Sequence, residues 1–287
     1  MSAQTIRYAT GGREIELGLE AIGSGASVVL LPALSSISTR AEMRPLAERL
    51  ASGYRVTCAD WPGFGDRPRD RADWSPRMLS EFLHWLLAVR LTPPHRIVAA
   101  GHAATYALYE AAHNPGTIER LVLVAPTWRG PLPTMMGGER PWFKRVRALV
   151  DAPALGPLLY RINVSRLIVA MMAREHVYAD AGWLSREREA AKIAVTRAPG
   201  ARHASVRFVS GALDRVDTRE AFLDLARRAR VPLLAVYGEQ TPRKSLAEMQ
   251  ALTELAAIKT ERLPRGKLAI HEEFPDAVAG IVLPFLA

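Results

Sequence analysis

The chain has 287 residues, 49% apolar and 23% charged, with a single cysteine and a net charge of +9. These proportions suit one large α/β domain, or a core domain carrying an insertion, and exclude disordered, collagen-like and disulfide-stapled classes. Lone Cys58 cannot form an internal disulfide and fits a reducing compartment. No apolar run reaches the ~18–20 residues a bilayer demands, and MSAQTIRYATGG opens without an apolar leader, so a cytoplasmic location is expected.

In chain order, IRYAT and EIELGLE flank Gly11-Gly12 with the alternation of a hairpin. SVVLLPA (27–33), YRVTCAD (54–60), RIVAAG (96–101), RLVLVAP (120–126) and PLLAVYG (232–238) read as buried parallel strands. Between them, 39–52, 75–90 and 105–114 carry apolar residues at helical spacing. KTERLP (259–264) is a last, weaker strand before the C-terminal helix EFPDAVAGIVLPFL. Alternating strands and helices predict a mostly parallel sheet of eight strands with helices on both faces.

Residues 130–215 interrupt this alternation. PLPTMMGGERP opens a run of helical segments, including WFKRVRALV and LLYRINVSRLIVAMMAREH. The expected organisation is therefore a core of 1–129 and 216–287 with a helical cap at 130–215, inserted after the sixth strand. Between Gly130 and Arg230, 18 Lys and Arg face 10 Asp and Glu, so most of the positive charge lies there. Such a basic region is either a solvated helical surface or a face for a membrane or protein partner. With no zinc-ligand spacing, RNP-like motif or helix-turn-helix pattern, no nucleic-acid partner is expected.

Four stretches in register carry a resemblance. LLPAL (30–34) follows the third strand, ADWPGFGDRP (59–68) the fourth and AGHAAT (100–105) the fifth, and GKLAIHEEFPDAV (266–278) precedes the last helix. Together they resemble the α/β-hydrolase superfamily over essentially the whole chain. The resemblance implies the α/β-hydrolase fold with a helical cap over a small-molecule pocket. It places Ala103 at the G-x-S-x-G nucleophile position, where an alanine is inert. It also makes His271 the catalytic histidine and general-base candidate. Ala33 and Leu34, with Ala104, are placed as backbone oxyanion donors.

The sequence departs from the family pattern in three places. The serine is missing, Thr105 replaces a glycine, and Thr241 stands where the acid belongs, leaving Glu239 as a weak acid candidate. Three departures point to natural loss rather than one engineered change. Ser35, Ser36, Thr105, Trp128 and Arg129 are the candidates to orient a ligand, Arg129 by a bidentate grip on an anion. His102 is expected in the core and Asp60 in the turn after the fourth strand, and Asp66 is a lesser candidate to face the pocket. No metal-ligand cluster or dinucleotide fingerprint stands out, so no cofactor is expected.

Three readings follow: a serine-independent enzyme with His271 as base, a ligand-binding pseudoenzyme, or an ester or thioester hydrolase with a substituted nucleophile. In each, the ligand is small and apolar or amphiphilic. The sequence does not decide the oligomeric state.

Overall fold

The computed structural model describes residues 2–69, 71–180 and 182–287. The apolar runs form one eight-stranded sheet from β1 (Ser2–Thr10), β2 (Arg13–Ile22), β3 (Ala26–Leu31), β4 (Tyr54–Ala59), β5 (His95–Ala100), β6 (Ile118–Val124), β7 (Leu233–Gly238) and β8 (Ile258–Leu263). Their spatial order is β1-β2-β4-β3-β5-β6-β7-β8. β1 and β2 pair antiparallel around Gly11-Gly12, whose positive φ angles make the tight turn. β2 is antiparallel to β4, and the remaining pairs are parallel.

The period of two along each central strand divides the core. Val29, Leu31, Ile97, Ala99, Leu121 and Leu123 face one layer, which includes α2 (Pro76–Trp85), α3 (Ala103–His113) and α10 (Arg219–Arg228). Val28, Leu30, Val98, Ala100, Val122 and Val124 face α1 (Arg44–Leu50) and α13 (Pro275–Leu286) on the other side. Strands with both faces buried need continuous apolar sequence, which these have.

Between β6 and α10 the chain forms α4 (Pro131–Met136), α5 (Trp142–Asp151), α6 (Leu155–Asn163), α7 (Arg166–Met172), α8 (Arg186–Thr196) and α9 (Ala201–Val209). Among the described residues this insertion contains no strand. It is tied to the core by backbone bonds from Arg69 N–H to Pro199 O and from Ala269 N–H to Val177 O. The remaining helices are α11 (Arg243–Gln250) after β7 and the short α12 (Ile270–Glu273) before α13. Among the described residues no single helix is long and apolar enough to cross a membrane.

β3 and β5 are neighbours, and the chain leaves β3 toward β4 on one side and β5 toward β6 on the other. Beyond the carboxyl ends of β3 and β5 this reversal opens a crevice, the place where open α/β sheets bind ligands. The loop starting at Pro32 and the turn at Gly101 form its edges.

Candidate active site

The turn after β5 differs in register from the sequence reading. β5 ends at Ala100 and α3 begins at Ala103, and the residue with left-handed backbone is Gly101, at φ +54°. A nucleophile elbow puts its reactive residue on that strained vertex. The vertex is therefore Gly101, and Ala103 is corrected to a first-turn helical residue, fully buried in the core. Ala99 and Ala103 flank Gly101 at two residues on either side, supplying the small side chains a tight elbow requires. A Cβ placed on Gly101 would lie 3.1 Å from Ala33 Cβ and 3.9 Å from Thr127 Oγ1, facing the loop after β3.

The Ala104 N–H points back to Gly101 O at 3.2 Å, so Ala104 is not the oxyanion donor that the motif implied. His102 is a core residue, with Nε2 3.2 Å from Leu213 O and 3.4 Å from Asp214 Oδ1. Burial pushes its imidazole down to about 4.

The loop after β3 carries a group that sequence reasoning missed. Glu42 sits on the short 3-10 helix Arg40–Met43, which Thr39 caps through its hydroxyl. Arg40 anchors the same turn, its N–H on Asp60 Oδ1 at 2.6 Å and its Nη1 on Asp60 Oδ2 at 2.5 Å. Glu42 is thereby turned inward, and its Oε1 accepts the N–H of Ala33 at 2.7 Å. That donor was expected to serve an oxyanion; here an internal carboxylate takes it.

His271, on α12, lies on the other side of the same oxygen, with Nε2 3.6 Å from Glu42 Oε1. The ring is 2% exposed, and among the described residues neither nitrogen has a hydrogen-bond partner. A buried imidazole left unpaired costs stability, so it calls for an explanation beyond packing.

Lys192 of α8 brings a buried cation from the insertion. Its ammonium forms a very short ion pair with Glu272 and lies 3.9 Å from Glu42 Oε2. Tyr178 donates its hydroxyl to both oxygens of Glu272, the shorter contact being 3.1 Å. Burial would lift the Glu42 carboxyl, but His271 and Lys192 outweigh it and hold the group below the ordinary range. For Lys192, desolvation is outweighed by Glu272, Tyr178 and Glu42, so its pKa is raised.

Donor atoms of Glu42, His271 and Glu272 lie within 4.8 Å of one another, a metal-like grouping that sequence spacing concealed. The Lys192 ammonium already lies against both of its carboxylates. A cavity of about 600 Å³ adjoins the cluster, lined by Ile37, Glu42, Trp183, Lys192, Val195 and Glu272 among others.

The other expected site residues are engaged elsewhere. Glu239 is exposed at the end of β7 and, among the described residues, makes no contact with His271. Thr105 spends its hydroxyl on Thr127 O. Trp128 Nε1 and Arg129 Nη2 both bond Glu248 of α11, at 3.2 and 2.7 Å, and the Arg129 guanidinium lies over the Trp128 ring. The expected anion grip of Arg129 is therefore closed by Glu248. Leu34 is buried in the core, Ser35 Oγ accepts Ile37 N–H at 3.4 Å, and Ser36 is half-buried beside it. Asp66, the lesser candidate to face the pocket, pairs with Arg40 at 2.9 Å.

A family model described as "Alpha/beta hydrolase family" matches residues 28–281. The chain belongs to the α/β-hydrolase family. Among solved structures it is similar to a thermophilic esterase from Thermogutta terrifontis, with a TM-score of 0.74 at 19% identity over 99% of this chain and 98% of that one. It is also similar to the enol-lactonase from Burkholderia xenovorans LB400, with a TM-score of 0.70 at 19% identity over 98% and 99%. The bromoperoxidase from Bacillus anthracis gives 0.72 at 16% identity over 99% of each chain. At these identities the likeness shows the fold. No curated protein matches the sequence.

Proposed function

We propose that this protein is a serine-independent member of the family, performing acid–base chemistry on a small apolar or amphiphilic molecule held between the core and the helical insertion. The observation that carries this reading is the Glu42–His271 pair. It joins two buried titratable groups, one an imidazole whose nitrogens make no hydrogen bond among the described residues, beside an elbow whose vertex has no side chain to acylate. Glu42 lines the cavity and His271 lies behind it, so the carboxylate is the group presented to a ligand and the imidazole receives or returns its proton. Ile37, Trp183 and Val195 give the cavity its apolar wall, and Arg188 and Lys192 supply cations at its edge. The insertion then acts as a cap, because Lys192 and Trp183 belong to it.

Ligand binding without turnover is the second reading. It is favoured by the bond from Ala33 N–H to Glu42, which fills the oxyanion position from within. Steady-state hydrolysis of p-nitrophenyl esters, acetate to decanoate, separates the two. The acid–base reading predicts slow turnover without a burst, lowered by about 10²-fold or more in both His271→Ala and Glu42→Gln. Equal rates in wild type and both variants contradict it. A silent wild type that still binds the longer esters leaves the second reading.

A further inference from the structure

The outer face of the insertion is built for a surface the chain does not supply. Among the described residues, nine of the ten exposed large apolar side chains lie between Met135 and Met171. α6 turns Tyr160 inward and carries Leu155, Leu158 and Ile162 outward at helical spacing. α7 does the same with Leu167, 80% exposed, and Met171 four residues on, while α5 exposes Trp142 and Leu149. The three helices pack in succession, α5 against α6 and α6 against α7.

The charge on this stretch is mostly positive. Residues 140–177 hold seven Lys and Arg against two acids, Asp151, which is taken by Arg207 and His203, and Glu175, which lies 3.7 Å from His176. Lys144, Arg145, Arg161 and Arg174 are exposed beside the apolar side chains. A second copy meeting this face would bring like charges together. An anionic surface meets both the apolar residues and the cations at once, and long basic side chains reach headgroups while their neighbours enter the acyl boundary.

We propose that α5, α6 and α7 form a docking surface for an anionic lipid bilayer. α6 and the helical segment Arg166–Val177 are bent by 46° relative to each other, and among the described residues no single helix is long and apolar enough to span a bilayer. The proposal is independent of the chemistry at Glu42.

Co-sedimentation of the full chain with vesicles of phosphatidylcholine alone, or of phosphatidylcholine mixed with phosphatidylglycerol, tests it. Binding at least about tenfold tighter to the anionic vesicles is expected, weakening as salt screens the cations. Leu158→Glu/Leu167→Glu is expected to abolish sedimentation and Lys144→Glu/Arg145→Glu to weaken it. All four positions are exposed, and circular dichroism checks that both variants fold. The proposal is overturned if the folded wild type ignores anionic vesicles, binds both vesicle types equally, or binds undiminished in the variants. It is also overturned if light scattering finds a dimer that the same substitutions dissociate, with no vesicle binding.

Discussion

Replacing Lys192 by methionine is expected to lower the stability of the protein by about 3–5 kcal/mol at neutral pH, among the largest effects of any single substitution. Its ammonium is the buried cation between Glu272 and Glu42, and both carboxylates are themselves buried. Methionine fills a similar volume, so the loss comes from two carboxylates left without their counter-charge rather than from a cavity. The pH dependence follows from the directions of the shifts. Glu42 is held below its ordinary value, so its contribution is complete above the unfolded carboxyl range, about pH 4–5, and is lost as pH falls through the folded value. Lys192 is held above its ordinary value, so its contribution is complete below about pH 10 and is lost as pH rises further. Urea unfolding should therefore show the gap between wild type and Lys192→Met narrowing below about pH 4. Adding Glu272→Gln to Lys192→Met should recover part of the loss.

Arg40→Met is expected to cost a similar amount, about 3–5 kcal/mol, at a second buried network. One guanidinium pairs with Asp60, Asp66 and Glu20, and Asp60 is 1% exposed. Burial pushes the Asp60 carboxyl up to about 6 even beside this arginine. Without Arg40, Asp60 must take a proton or remain charged without a partner, and Glu20 keeps only the half-exposed Arg44. Gly18 belongs to the same device. A Cβ there would sit 2.1 Å from Arg40 Nη1, so the glycine leaves the guanidinium its place. Because Arg40 also holds the turn carrying Glu42, its loss should loosen the bond from Glu42 to Ala33. Thermal unfolding of Arg40→Met, and partial rescue by Arg40→Met/Asp60→Asn, checks the assignment.

The sheet was legible because burial on both faces demands uninterrupted Val, Leu, Ile and Ala, and the five runs from SVVLLPA to PLLAVYG have no other use. The histidine loop was legible for a different reason: His271 stands at a fixed place before the last helix. The elbow was misread by two residues. A motif cannot tell one glycine from another, and Gly101 reads as the leading glycine of G-x-S-x-G until the backbone shows it at the vertex. Glu42 was invisible because TRAEMRPLAERL reads as an amphipathic helix with glutamate on its wet face. The 3-10 turn set by Thr39 and Asp60 turns that side chain inward. Lys192 and Tyr178 come from the insertion, and only tertiary packing brings them to Glu42 and Glu272. Trp128 and Arg129 were placed near the crevice by position, but Glu248, far along the chain, claims both.

On the proposed reading, the vertex residue Gly101 offers no side chain to acylate, and Glu42 and His271 carry the chemistry. Its most direct test is labelling by a fluorophosphonate, followed by intact mass, on wild type, Ala103→Ser and Gly101→Ser, each alone and with Glu42→Ala, which removes the acceptor of the Ala33 N–H. A serine at Gly101 must accept φ +54° and a 3.1 Å contact with Ala33 Cβ, at a cost of about 1–2 kcal/mol. No adduct is expected on wild type or Ala103→Ser, and an adduct on Gly101→Ser/Glu42→Ala should map to the new serine. An adduct on Ala103→Ser, with none on either Gly101→Ser protein, would contradict this reading.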